Sequence, residues 1–426
     1  MTHIGIICPP ILGHLNPMVA LGQELQQRRH RVTFFQMPDI EAKVLAAGLE
    51  FQPIGQSEYP VGSMNEYFVQ LSKLRGLGEL RFTLKCGQRL ANMICSYAPH
   101  AIKNAGVEIL LVDQNEPAGG SVAEYLGIPF LTICNSLAIN READIPPVFT
   151  PWKYRNSWWT RLRNQIGYSL FDQIIQPINA VLNEYRRQWK LPTLIRCPDD
   201  TFSQFAQISQ QPADFDFPRI ALPACFHYVG PLRHPSSQVI PFPYEQLNGL
   251  PLIYASLGTL YNTKSEVFRM IAAACAELEA QLVISHGGGM DVQTAQALPG
   301  SPLVVSYAPQ LELLVRAQLT ITHAGLNTVL DSLSNGVPMV AIPMAVDQPA
   351  IAARFSWTRA GEVVPLSRLN VPRLRAAVKR VLTEDSYRSS AARLKASILR
   401  AGGVGRAADI VEQVIVSGKP VLANQG

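Results

Sequence analysis

Several common protein classes are made improbable by what this 426-residue chain lacks. No apolar run reaches the roughly 18 residues needed to cross a bilayer, so no spanning helix is expected. Its seven cysteines are scattered and form no Cys-x-x-Cys pair. That spacing argues against a disulfide framework or a zinc site and for reduced thiols in the cytoplasm. Charged residues make up only 16% of the chain, with a net charge of +5, which disfavours a general nucleic-acid binder. There is no Gly-x-Ser-x-Gly turn, so His286-Gly287-Gly288-Gly289, which looks like an esterase oxyanion loop, has no nucleophile to serve. The absence of a Gly-x-x-x-x-Gly-Lys loop, and of Gly-x-Gly-x-x-Gly in the first turn, argues against kinases and dehydrogenases. The first ten residues contain no Lys or Arg, and their apolar run stops at Pro9 and Pro10. They read as a first strand and not as a signal peptide.

What is present is a large core. With 47% hydrophobic residues, a chain of this length divides naturally into two domains of about 200 residues. In the first half, His3–Cys8, Val32–Gln36, Ile109–Asp113 and Phe130–Ile133 read as buried strands. Helical patterns over Pro17–Arg29, Asp39–Ala47, Gly78–Tyr97 and Pro117–Leu126 lie between them. The alternation restarts after a proline-rich stretch. Strands are expected at Leu252–Leu257, Gln281–Ser285, Leu303–Tyr307, Leu319–Thr322 and Met339–Pro343, and terminal helices at Val371–Leu382, Tyr387–Leu399 and Gly405–Ser417. Such alternation predicts an α/β protein of two doubly wound, Rossmann-like parallel-sheet domains facing a cleft. The expected division is an acceptor-binding domain over 1–225, a linker over 226–250 and a nucleotide-binding domain over 251–426, its last helices packing back on the first domain. Ligands of such sheets bind beyond the carboxyl ends of the strands.

Three constellations could carry chemistry there. His14 follows the first strand, behind Gly13 and ahead of an Asn16-Pro17 helix start, and imidazole suits proton removal near neutral pH. Its bland alternative is a backbone cap. Asp113 ends another strand of the same half and can hold a histidine in one tautomer; a lone aspartate is more often an N-cap. The third is Leu319-Thr320-Ile321-Thr322-His323-Ala324-Gly325-Leu326-Asn327-Thr328 leading to Asp331. A strand there enters a small-residue turn and a helix whose free N–H groups and dipole favour a diphosphate. Ala255-Ser256-Leu257-Gly258-Thr259 offers hydroxyls and a glycine turn to the same space.

At these residues the chain resembles the family 1 nucleotide-sugar-dependent glycosyltransferases. Their donor signature is similar to the run from Tyr307-Ala308-Pro309-Gln310 through His323 and Asp331 to Asp347-Gln348. A nearer likeness is to the bacterial zeaxanthin glucosyltransferases, carried by Glu116-Pro117-Ala118-Gly119, Asp216-Phe217-Pro218-Arg219 and Val229-Gly230-Pro231-Leu232-Arg233 among other stretches. The resemblance implies the GT-B architecture and transfer of glucose from UDP-glucose to an apolar hydroxylated acceptor, with inversion and without a metal or other cofactor. It implies His14 as the base and Asp113 as its partner. Tyr307 would stack on uracil, and Gln310 would contact the nucleoside. Ser256, Thr259, His323, Gly325, Asn327 and Thr328 would hold the diphosphate. Asp331 would take the ribose, and Asp347 and Gln348 the sugar. Where plant members carry Trp and Glu, this chain has Tyr307 and Asp331, and their Trp-Thr pair is Ala345-Val346.

Competing readings rest on single features. Asp214-Phe215-Asp216 matches a metal-binding Asp-x-Asp, but in the proline-rich connector. Sterol, flavonoid or macrolide-like acceptors are alternatives to a carotenoid, and a non-catalytic carotenoid carrier of the same fold is the rival from another class. Finally, residues 151–190 hold Trp152, Trp158, Trp159 and Trp189. The same stretch has seven cations against Asp172 and Glu184, which equals the whole net charge. It reads as a pair of amphipathic helices broken near Pro177, forming either acceptor-pocket wall or a peripheral contact with an anionic membrane.

Overall fold

A computed structural model describes residues 1–74, 76–234, 240–258 and 264–423. Among these residues, two parallel sheets account for all the strands. The first half runs β1 (His3–Ile7), α1 (Leu12–Gln27), β2 (Arg31–Gln36), α2 (Glu41–Ala46), β3 (Glu50–Pro53), α3 (Ser63–Lys73), α4 (Leu77–Ala105), β4 (Ile109–Asp113), α5 (Ala118–Leu126), β5 (Phe130–Cys134), α6 (Trp158–Gln188), β6 (Gln207–Ser209) and β7 (Phe226–Tyr228). The second half runs β8 (Leu252–Ser256), α7 (Ser265–Cys275), β9 (Gln281–Ser285), α8 (Val292–Gln296), β10 (Leu303–Val305), α9 (Gln310–Arg316), β11 (Ala317–Thr322), α10 (Leu326–Ser334), β12 (Met339–Ala341), α11 (Gln348–Thr358), β13 (Gly361–Val363), α12 (Val371–Thr383), α13 (Asp385–Ala401) and α14 (Gly403–Ser417).

The strand orders are β3-β2-β1-β4-β5-β6-β7 and β10-β9-β8-β11-β12-β13. Both reverse direction of winding at one place, between β1 and β4 and between β8 and β11. A crevice opens at such a switch point, because the crossovers leave it on opposite faces. Runs such as Ile109-Leu110-Leu111-Val112 are apolar on both sides of the strand because helices cover both faces. One face of the first sheet packs on α1 and α14, with Leu15, Met18, Ala407, Ile410 and Val414 fully buried. The other packs on α4, α5 and α6 through Ile94, Ala98, Val122 and Leu182.

The two halves are tied together. The terminal helix α14 crosses to the first half, where Arg28, just past the end of α1, reaches Asp409 at 2.7 Å and Glu412 at 2.8 Å. Leu137 and Phe215 share a core with Leu330, Ile351 and Leu394. Beside them Arg354 of α11 is paired with Asp216 at 2.7 Å, both fully buried. Asp216 also faces Arg219 at 3.4 Å, and Asp214 is half-exposed near Arg400. The Asp-x-Asp motif is thus split between a buried domain tie and the surface.

The fold corrects four local expectations. The connector begins after β7, because Phe226–Tyr228 extends the first sheet within the expected linker. Helix α1 begins at Leu12, so Pro17 lies inside it and His14 sits in its first turn. A proline near a helix start removes a single hydrogen bond and does not end the helix. Helix α6 likewise runs unbroken through Pro177, whose carbonyl accepts from Gln88 Nε2 at 3.2 Å. The short strands β3, β6, β7 and β13, at or next to the sheet edges, were not expected, because three or four mixed residues carry little periodic signal. Among the described residues no helix is long and apolar enough to cross a membrane.

Candidate active site

The crevice between the sheets is a cleft of about 1170 Å³ lined from both halves. On the first half, β1 and β4 are hydrogen-bonded neighbours, with Ile7 opposite Val112. Residues just beyond their ends therefore meet. The Nδ1–H of His14 donates to Asp113 Oδ2 at 2.8 Å, which leaves Nε2 as the basic atom. Asp113 is fully buried and also accepts from Asn135 Nδ2 at 2.7 Å and from the Asn115 backbone N–H at 2.8 Å. Asn115 Nδ2 lies 3.5 Å from His14 Nε2, too far for a strong bond.

Burial is the largest influence on the His14 imidazole and acts to lower its pKa. The Asp113 charge and hydrogen bond, with help from Asp347, outweigh it and raise the pKa above 6.5. Behind Asp113, Glu116 is buried and held at about 8, first by desolvation and then by the Asp113 charge. Near neutral pH it is uncharged, so Asp113 is the carboxylate that faces His14 from this strand end.

The second half repeats the geometry. Ser256 at the end of β8 is opposite Thr322 of β11, so Ser256 and His323 come together. The His323 imidazole lies against Gly258 and Gly325, and a side chain on either glycine would collide with it. Burial lowers the His323 pKa to about 4, with a backbone hydrogen bond at Ser256 opposing. It is a neutral donor at pH 7. Next to it, Ala324 has φ +67°, a conformation that costs a non-glycine residue energy and recurs at functional turns. Gly325 caps α10 with no side-chain hydrogen bond, so the N–H groups of Leu326, Asn327 and Thr328 are left for a ligand.

Tyr307 is 58% exposed at the rim, its hydroxyl donating to the Gly287 carbonyl at 3.2 Å. Asp331 is held on both oxygens, by Arg233 Nε at 2.7 Å and Gln310 Nε2 at 2.8 Å. Gln310 Oε1 faces the Tyr254 hydroxyl at 3.3 Å. The Gln310 amide is therefore spent on Asp331 and Tyr254, and ribose hydroxyls would have to share Asp331 with Arg233. Gln348 Oε1 accepts from the backbone of Met344 and Ala345 at 2.9 and 3.2 Å, fixing the loop in which Val346 has φ +56°. Asp347 ends that loop close enough to His14 to raise its pKa. The structure thus lines one cleft with His14, Ser256, Tyr307, Gln310, His323, Gly325, Asn327, Thr328, Asp331, Asp347 and Gln348, with Asp113 buried behind His14. Thr259 lies outside the described residues.

Sequence reasoning missed Arg233 as a site residue. It is a permanent cation on the connector, and its Nη2 also reaches Asn327 Oδ1 at 3.1 Å. Its only signal was its place at the end of the Val229–Arg233 stretch. Asn135 was missed as well, since only the register of β5 beside β4 brings it to Asp113.

Much of the rest of the cleft is apolar, although Glu58, Glu66, Gln70 and Arg89 also line it. Met64, Tyr67, Phe82, Leu90, Phe149 and Phe171, from α3, α4, α6 and the loop before α6, line it from the first half. The arrangement offers a histidine base, a helix start with free N–H groups beside a cation, and an apolar-lined pocket in the same cleft.

Comparison with known proteins agrees with this fold. The family model described as UDP-glucoronosyl and UDP-glucosyl transferase matches residues 66–399. A zeaxanthin glucosyltransferase of Pantoea ananas is 36% identical over 435 aligned residues, covering 100% of this chain and 99% of the relative. One from Pseudescherichia vulneris is 34% identical, covering 99% of this chain and 100% of the relative. The crystal structure of the calicheamicin glycosyltransferase CalG4 superposes with a TM-score of 0.75 at 23% identity, covering 99% of this chain and 100% of that one.

Proposed function

The chain belongs to the UDP-glucoronosyl and UDP-glucosyl transferase family, and from that premise we propose that it moves glucose from UDP-glucose onto a hydroxyl of a carotenoid such as zeaxanthin. The observation that carries this reading is the 2.8 Å His14–Asp113 pair in a cleft that also presents the uncapped start of α10. The apolar lining and two relatives that bear the zeaxanthin glucosyltransferase name support the acceptor.

In this mechanism Nε2 of His14 takes the proton from the acceptor hydroxyl as its oxygen attacks the anomeric carbon. The bond from that carbon to the diphosphate oxygen breaks on the opposite face, and UDP leaves with the electron pair, giving inversion. Asp113 keeps the Nδ1–H tautomer and stabilises the imidazolium that forms. Charge on the departing phosphate is met by the α10 N–H groups and by Arg233, while neutral His323 contributes a donor. With that charge answered by protein groups, no divalent metal is required, and turnover should survive exhaustive chelation. Tyr307 would carry the uracil, Asp331 the ribose, and Asp347 and Gln348 the sugar hydroxyls. The reading sets the reaction in the cytoplasm, at the face of an anionic membrane.

The test is release of free UDP from UDP-glucose by the purified protein, with zeaxanthin and with a panel of sterol, flavonoid and macrolide-like acceptors. Release that depends on zeaxanthin supports the reading. Release with another acceptor alone would overturn the carotenoid, and silence across the panel would leave a carrier.

A further inference from the structure

The solvent side of α6 carries an apolar stripe that the core does not use. Trp158, Trp159, Leu162, Ile166 and Leu170 recur at three- and four-residue spacing, and are 62, 63, 43, 53 and 54% exposed. At 100° per residue they share one face of the helix. Isolated exposed apolar residues need no explanation, but a contiguous row of large ones marks an interaction surface. The two indoles stack on each other, with ring centroids 3.7 Å apart.

The charge around the stripe has one dominant sign. Lys153 and Arg155 stand exposed just ahead of the helix and have no ion-pair partner among the described residues. Arg161 and Arg163 flank the stripe, one on each side. Arg161 is paired with Asp144, and Arg163 lies over the Trp152 ring at 4.5 Å. The surface is narrower than the 151–190 segment expected from sequence. Trp189 stacks on Tyr125, and Arg186 is buried against Glu124 at 2.7 Å. What remains is Lys153 to Leu170.

The stripe also leads into the cleft. Phe171 follows Leu170 directly, stacks on Phe149 at 4.6 Å, and both rings line the cleft. Indoles and aliphatic side chains suit the headgroup and acyl boundary, and unpaired cations suit anionic headgroups. We infer that Lys153, Arg155 and the stripe from Trp158 to Leu170 dock the protein on an anionic lipid bilayer, with the cleft mouth at Phe149 and Phe171 adjoining the lipid. A lipid-dissolved acceptor then enters without crossing water. This last step rests on the apolar-acceptor reading above, whereas the docking itself does not.

The test is co-sedimentation of the full-length protein with vesicles of phosphatidylcholine alone or mixed with phosphatidylglycerol. Binding to the anionic vesicles should be stronger and should weaken as salt rises. The pairs Lys153→Glu with Arg155→Glu, and Trp158→Ser with Trp159→Ser, should each lower partitioning at least about tenfold. Both should keep the wild-type melting temperature and turnover on detergent-dispersed acceptor. Equal binding to neutral and anionic vesicles, or variants that bind like wild type, would overturn the proposal. So would a dimer, seen by light scattering, that the Trp158 and Trp159 substitutions dissolve, because the stripe would then belong to a second copy. Vesicle binding by a protein that releases no UDP would remove the catalytic reading and leave the docking intact.

Discussion

Asn327, at the start of α10, donates from Nδ2 to the carbonyl oxygen of Gly13 in α1 at 2.8 Å, joining the two halves across the cleft. Gly13 stands four residues before Pro17, which has no N–H to return to it, so the helix leaves that carbonyl open. The same side chain accepts through Oδ1 from Arg233 and Gln210, both at 3.1 Å. One amide therefore links the helix that carries His14, the connector and the start of α10 in the second half.

Asn327→Ala removes these bonds, each contributing about 1 kcal/mol. We expect kcat/KM to fall about tenfold or more, with a lower melting temperature. Steady-state kinetics indistinguishable from wild type would show that the tie is not used in turnover.

For the base, His14→Ala should lower turnover about a hundredfold or more, while calorimetric affinity for UDP changes little. As the proposed base, His14 would act deprotonated, and with its pKa raised wild-type kcat/KM should climb with pH through a value above 6.5. Asp113→Asn removes the charge that lifts it. Its plateau should drop and its acid limb should move to lower pH, and a limb that stays in place would break the assignment of the pair.

Donor contacts separate by ligand. Arg233→Gln should weaken UDP about tenfold or more and leave uridine nearly unchanged, since a cation on the diphosphate matters only when phosphate is present. Equal losses for both would mean that Arg233 acts only by holding Asp331. Asp331→Ala should weaken uridine, UDP and UDP-glucose alike, whereas Gln348→Ala should mainly affect UDP-glucose, all read by calorimetry.

Glu116 yields a stability prediction with a definite sign. Its folded pKa of about 8 exceeds the ordinary 4.5. Between these values the folded chain holds a proton that the unfolded chain has lost, so this group costs stability as pH rises through the window. Glu116→Gln cannot ionise. Its melting temperature relative to wild type should increase from about pH 4.5 to about 8 and then level off. Melts at pH 5, 6.5 and 8 that differ from wild type by a constant amount would contradict this.

Much of the molecule could be read without coordinates. Buried parallel strands are continuous apolar runs, and Ile109–Val112 or Leu252–Ala255 need no neighbours to be recognised. His14, Asp113 and the His323–Asp331 turn could be picked out because strand ends in such sheets face the ligand. Edge strands of three or four residues, the helical start at Leu12 and the continuity of α6 through Pro177 were not legible. Such features depend on partners far away in the chain, such as Asn327 for the Gly13 carbonyl that Pro17 leaves open.

The sequence by itself determined the alternation of strands and helices, the division into two halves and the residues presented at strand ends, because these follow from local periodicity and turn chemistry. Only the tertiary structure decided which of those residues meet. The neighbouring of β1 with β4 brings His14 to Asp113, and the return of the connector brings Arg233 to Asp331, 98 residues away in sequence. Hydrogen-bonding groups at such separations are paired by sheet order and domain packing, and no local pattern encodes that geometry.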